Sequence, residues 1–330
     1  MRELIELDVK GHRLWGTYHA PAPARRGAVG FLFLNPGHVP RSGHGGLSAR
    51  AADGLAAQGF PCFRVDLPGL GDSDGTLPDT TAELYQFVCG GGFVEVAQAV
   101  REELVKRHGL KGLVVGGLCG AATTSLYLAD RNPEGIAGVF MFEPEFYLSE
   151  QEAAATGGEE AKPEAEPATW RSRLPLRRVT SKLFSYWGWM RMLTRENEYA
   201  RLFRYVPFPR QLVLDLLMDW GSLPAVANVP LVRAWQRLVE RGLPVLVITA
   251  EGKLRDIYFD RIHRSAFSDL KLPMVERLRL RGTNHIFTTG GAIDACVGHL
   301  ARWAAEHFRE ERAGVAVPQP HVAELHGVAR

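Results

Sequence analysis

The sequence predicts an α/β fold: a mostly parallel, doubly wound sheet with an inserted helical cap. Three observations predict it. Apolar runs of strand length alternate with helical segments from about residue 28 to 142, and again from about 243 to 310. Four segments built for close turns or chemistry follow such runs: Asn35-Pro36-Gly37, the turn at Cys119, the stretch after Thr249, and His285. In open α/β sheets, ligands sit outside the carboxyl ends of the strands. Finally, residues 150–235 interrupt the alternation, as an insertion would.

Residues 3–20 read as two antiparallel strands around Lys10-Gly11, since Leu4-Ile5-Glu6-Leu7-Asp8-Val9 carries period-two character. Ala28 to Leu34 is apolar throughout, which suits a strand buried on both faces. A helix is expected over Ser48 to Gln58, stopped by Gly59, and a strand over Phe60 to Val65. Asp66-Leu67-Pro68-Gly69-Leu70-Gly71-Asp72-Ser73 then reads as a structural loop, with Asp72 or Ser73 capping the next turn. Phe93 to His108 is amphipathic with helical period. Leu113 to Val115 is a buried strand, Ala121 to Asp130 a helix, and Ile136 to Phe142 another strand.

The pattern then changes. Residues 150–167 hold six Glu and one Lys, with no large apolar residue, so they read as a flexible acidic loop. Residues 168–210 hold ten Arg or Lys and two Glu among many aromatics. We take 150–235 as this loop plus a helical cap, with core segments at 1–149 and 236–312 and a loose tail at 313–330. The basic cap would steer an anionic substrate, or its Arg stems cover its own apolar face. Leu243 to Thr249 and Met274 to Leu280 are strands, and Ala292 to Glu310 is a striped helix.

Apolar residues make up 46% and charged residues 23%, with net charge +2, which points to neither nucleic acid nor membrane partners. No apolar run approaches the roughly 18 residues of a membrane span, and the charged N-terminus shows no signal peptide. A cytoplasmic location is expected. Cys62, Cys89, Cys119 and Cys296 show no paired or metal-ligand spacing, so no metal and no cofactor are expected. The oligomeric state is open.

Gly116-Gly117-Leu118-Cys119-Gly120-Ala121-Ala122 joins a strand to a helix by a small-x-Cys-x-small turn. Such a turn is a nucleophile elbow, with the central side chain thrust outward and small residues flanking it. A thiolate attacks acyl groups and leaves a thioester. With Asn35-Pro36-Gly37, the Asp66 to Ser73 loop and Gly282-Thr283-Asn284-His285 in the same order, the chain resembles an α/β-hydrolase over about 25–150 and 240–310. It is particularly similar to the serine-aminopeptidase-like branch with a cysteine elbow, including hydrolases associated with exopolysaccharide or exosortase systems.

The resemblance implies Cys119 as nucleophile and His285 as base. His38 and His44, which follow the oxyanion strand, are the rivals for the base; they are expected to line the pocket or bind substrate, with His38 as the substrate contact. It places the acid after the strand ending at Thr249. Lys253 stands where Asp is common, so Asp256 is the choice, with Glu251, Asp260 and, after the previous strand, Glu143 as alternatives. An oxyanion hole needs two backbone N–H donors. Gly120 and Gly37 are expected, because Pro36 has none. The expected activity is hydrolysis of a small-molecule, possibly carrier-bound, acyl ester or thioester. The alternatives are acyl transfer to an alcohol, amine or thiol, and a non-catalytic protein on the same fold.

Overall fold

The computed structural model describes residues 1–21, 28–148, 223, 227–267, 272, 274–289 and 291–309. The acidic loop and most of the cap expected over 150–235, and the tail expected over 313–330, lie outside the described residues. The strands are β1 (Arg2–Val9), β2 (His12–His19), β3 (Val29–Phe33), β4 (Cys62–Val65), β5 (Gly112–Leu118), β6 (Ile136–Phe142), β7 (Val245–Ala250) and β8 (Val275–Leu280). They form one sheet in the order β1-β2-β4-β3-β5-β6-β7-β8. β1 pairs antiparallel with β2, and β2 with β4; the other pairings are parallel.

Parallel strands need crossover connections, which place helices on both faces. The helices are α1 (Leu47–Ala57), α2 (Thr81–Cys89), α3 (Val94–His108), α4 (Gly120–Arg131), α5 (Val229–Glu240), α6 (Leu254–Ala266) and α7 (Ala292–Phe308). One face of the sheet is covered by α1 and α7, through Leu47, Leu55, Cys296 and Trp303. The other packs against α3, α4 and α5, through Val100, Leu126 and Trp235. Every residue of β5 is buried. That double burial explains why its sequence is apolar without alternation.

Three helices escaped the sequence reading. α2 opens on a capping box, with Thr80 accepting from the Glu83 N–H and Glu83 from the Thr80 N–H. The Thr-x-x-Glu pattern was there to be read. α6 follows closely on β7, beginning four residues after it. α5 runs across the boundary expected at 235: it begins at Val229, and its Leu231, Val232, Trp235 and Leu238 lie in the main core. Arg237 pairs with Asp130 of α4 at 2.7 Å.

The Asp66 loop is structural and anchors the turn after β3. Asp66 is fully buried. Its carboxylate accepts from Asn35 Nδ2 at 2.8 Å and from the Arg41 N–H at 2.6 Å, and pairs with the Arg41 guanidinium. Gly71 sits at φ +55 directly over this carboxylate, and a Cβ there would overlap it. Ser73 caps no helix: its hydroxyl donates to the Asp66 carbonyl and accepts from the Trp15 N–H.

If α5 belongs to the core, Trp235→Ala is expected to cost about 3–5 kcal/mol of global stability. A urea unfolding curve checks this. A helix belonging to a separate cap would leave the main transition where it is.

Candidate active site

β5 ends at Leu118 and α4 begins at Gly120, so Cys119 makes the whole turn. It does so at φ 56, ψ −115, on the positive-φ side that costs a residue with a Cβ about 1–3 kcal/mol. Neighbouring strands hold it there. The Cys119 N–H donates to the Phe142 carbonyl of β6 at 2.9 Å, and the Thr123 N–H to the Cys119 carbonyl at 3.2 Å. Gly117 is required two residues earlier. At φ +152, a Cβ on it would lie 2.5 Å from the Cβ of Ala121.

The two expected oxyanion donors stand together. A Cβ on Gly120 would lie 3.2 Å from the Gly37 nitrogen. The Gly120 N–H also hydrogen-bonds the Cys119 sulfur. Asn35 fixes the Gly37 turn, accepting from the Leu67 N–H and donating to the Val39 carbonyl and Asp66.

Cys119 Sγ has two charged neighbours that the sequence reading did not select. Glu145 Oε2, on the loop after β6, lies at 3.7 Å, and Arg255 Nη2, in the first turn of α6, at 3.4 Å. The two pair with each other at 2.8 Å. The Tyr85 hydroxyl of α2 donates to the Tyr147 carbonyl and also meets Glu145. Burial pushes the Cys119 thiol up to about 11; Arg255 opposes the shift and Glu145 adds to it. Tyr85 is pushed up by burial and then by Glu145. Both Glu145 and Arg255 follow strands whose ends were already suspect. Which way their side chains turn was not readable.

His285 lies in the turn after β8, its ring reaching the surface. Asn284 braces that turn through the Thr288 N–H at 3.0 Å and the Thr288 hydroxyl at 2.9 Å. The His285 pKa is lowered, first by lost hydration and then by Arg255, while Glu145 pulls it up. His44 also lowers it, and is itself lowered by burial and then by the exposed His38. His44 therefore stands near His285, and His38 near His44.

The expected pairing of Asp256 with His285 is not formed among the described residues. Asp256 is buried, and its oxygens are taken from other directions. Oδ1 accepts from the Thr249 hydroxyl at 2.7 Å and from Arg277 of β8 at 2.6 Å; Oδ2 accepts from the Gly252 N–H at 2.8 Å. Arg279 adds a contact at 3.1 Å. The alternatives are also engaged elsewhere. Asp260 pairs with Arg277 and Arg279, and Glu251 with Arg281. Glu143, buried at φ 50, accepts from the Ala250 N–H. Glu145 is the carboxylate that lies against the Cys119 sulfur.

A family model described as the alpha/beta hydrolase fold matches residues 40–287. The chain belongs to the α/β-hydrolase fold family. Solved structures agree on the fold. An alpha/beta hydrolase, GrgF, from Penicillium sp. sh18 superposes with a TM-score of 0.55 at 15% identity, covering 93% of this chain and 99% of its own. Proline iminopeptidase from Mycobacterium smegmatis does so with 0.53 at 18%, covering 92% and 98%. Est1E from Butyrivibrio proteoclasticus, solved with ferulic acid, gives 0.52 at 12%, covering 92% and 98%. No functionally curated protein matches the sequence. Among the described residues, no group of three or more His, Cys, Asp or Glu is arranged to hold a metal ion, and no helix is long and apolar enough to cross a membrane.

The engagement of Asp256 with Arg277 and Arg279 has a measurable consequence. Asp256→Asn is expected to cost about 2 kcal/mol of stability, by uncoupling Arg277 and Arg279. Alkylation of Cys119 by iodoacetamide should stay within about threefold of wild type under native conditions, since no Asp256 contact reaches the sulfur. A collapse of Cys119 reactivity in a folded Asp256→Asn protein would restore it to the site.

Proposed function

We propose that this protein hydrolyses an acyl ester or thioester through Cys119. One observation carries the reading: a cysteine sits on the positive-φ turn between β5 and α4, with the Gly120 N–H against its sulfur and the Gly37 nitrogen close to Gly120. Two such donors would receive the charge that develops on a carbonyl oxygen during attack.

The thiol is protonated near neutral pH, because burial holds it up near 11. Attack therefore needs a base at the moment of reaction. His285 takes the Sγ proton as the sulfur–carbon bond forms and the carbonyl electrons move to oxygen. Its lowered pKa keeps the ring neutral, and so basic, near pH 7. Glu145 supplies the negative charge that stabilises the resulting imidazolium, in place of Asp256. The imidazolium then protonates the leaving alcohol or thiol as its bond to carbon breaks. Water attacks the thioacyl-enzyme, His285 accepts its proton, and the acid departs as Sγ is reprotonated. His38 and His44 line the entrance and contact the acyl donor.

Intact-protein mass spectrometry with p-nitrophenyl esters and acyl thioesters tests the reading. An acyl adduct is expected on wild type and not on Cys119→Ala. Its decay in water alone marks a hydrolase, whereas decay only with an added alcohol, amine or thiol marks a transferase. A wild type that accumulates no adduct and turns over no donor in the panel would count against it.

The acid limb of kcat/KM should fall below the ordinary histidine value of about 6.5. The sign follows from the base: neutral imidazole is the active form, and lowering its pKa keeps that form present at lower pH. An acid limb above that value would contradict His285 as the base in this environment.

A further inference from the structure

We infer that Arg255 forms, beside Cys119, a subsite for a carboxylate or similar anion carried on the acyl group near the scissile carbonyl. The inference rests on Cys119 being the attacking group and names the class of donor it accepts.

The guanidinium is nearly buried, with 15% of its side chain exposed, and its Nη2 lies 3.4 Å from the nucleophilic sulfur. A substituent close to the carbonyl of a Cys119-bound acyl group must pass within reach of it. The fork is only partly used. Glu145 engages it through one oxygen, at Nη2, while the buried Nε has no hydrogen-bond partner. Nε and Nη2 form the edge that grips a carboxylate with two parallel bonds. A buried donor left unpaired is unfavourable, and an incoming acceptor removes that penalty.

A carboxylate already lies at this place. Glu145 Oε2 is 3.7 Å from Sγ and 2.8 Å from Arg255, so the charge there suits such a group. Glu145 thus occupies part of the subsite in the resting protein. An anionic acyl group takes the free edge of Arg255 and competes with Glu145 for Nη2. The Tyr85 hydroxyl, which lies next to Glu145, can hold the displaced carboxylate by turning its proton from the Tyr147 carbonyl.

Two small alkylating probes separate this from general reactivity. Iodoacetate and iodoacetamide present the same electrophilic carbon to Sγ, but only iodoacetate carries a carboxylate next to it. Their rates at Cys119 are read by peptide mass spectrometry on the full chain; the other three cysteines are buried. The same ratio in urea gives the value for an unfolded thiol. Folded wild type is expected to favour iodoacetate by roughly tenfold over that reference, the scale of one charge-assisted contact. Arg255→Gln should return the ratio to the unfolded value, and Arg255→Lys should keep part of the preference. Glu145→Gln removes the competitor and should raise the ratio further.

A change in thiol acidity alters both rates together and leaves the ratio alone. A wild-type ratio equal to the unfolded one overturns the inference, as does a ratio unmoved in Arg255→Gln. If Arg255→Gln does not fold, an unmoved ratio in Glu145→Gln overturns it. Alkylation needs no turnover, so an anion preference in a protein that hydrolyses no acyl donor would retain the subsite and discard the hydrolase reading.

Discussion

The positive φ at Cys119 is the constraint on which the site depends. A residue with a Cβ does not adopt that conformation unless its surroundings make the alternatives worse. Here the surroundings are the sheet. β5 is buried along its whole length between β3 and β6, so its path is fixed before the turn is reached. α4 is pinned by its packing against α3 and α5, so the direction after the turn is fixed as well. One residue must join the two. The same junction puts the first N–H of α4 beside the sulfur and brings the Gly37 turn within contact of Gly120.

Burial creates a conflict at this position. It would shield any group carried on the sulfur from stray water, but it also opposes ionisation of the thiol. A lone arginine would resolve the conflict in favour of thiolate, and a lone glutamate in favour of thiol. The structure places one of each against the sulfur and pairs them with each other. The pair is close to neutral overall. It leaves the thiol protonated at rest and keeps a guanidinium within reach of whatever sits on the sulfur. Removing either member would leave the other as an uncompensated charge in a largely dry site, which is the costly half of a buried ion pair.

The architecture was legible because it rests on periodicity. Continuous apolar runs marked β3, β5, β6 and β7, and the small-x-Cys-x-small turn marked the elbow with its register. What sequence did not disclose was direction. Glu143 and Glu145 both follow β6. Glu143 turns into the core to accept from the Ala250 N–H, and Glu145 turns to the nucleophile. Alternation along an extended segment cannot separate them, since both fall on the same parity. Burial does not separate them either, because both are buried. Only the neighbouring strand β7, with its free N–H at Ala250, decides which carboxylate goes where.

The acid expected after β7 shows the same limit more sharply. Arg255 and Asp256 are adjacent in the first turn of α6. Successive residues on an α-helix point about 100° apart, so only one of them can face Cys119. Asp256 is drawn the other way by three donors: the Gly252 N–H just before the helix, the Thr249 hydroxyl at the end of β7, and the Arg277 guanidinium on β8. A carboxylate in the first turn is also favoured by the helix dipole. Asp256 faces β8, and Arg255, the residue before it in the same turn, faces the sulfur. A site that meets its nucleophile with arginine from the β7 side then needs its carboxylate from another strand end. β6 supplies it through Glu145. Arg255 at the sulfur and Asp256 at the Arg277 guanidinium are two consequences of one helix orientation.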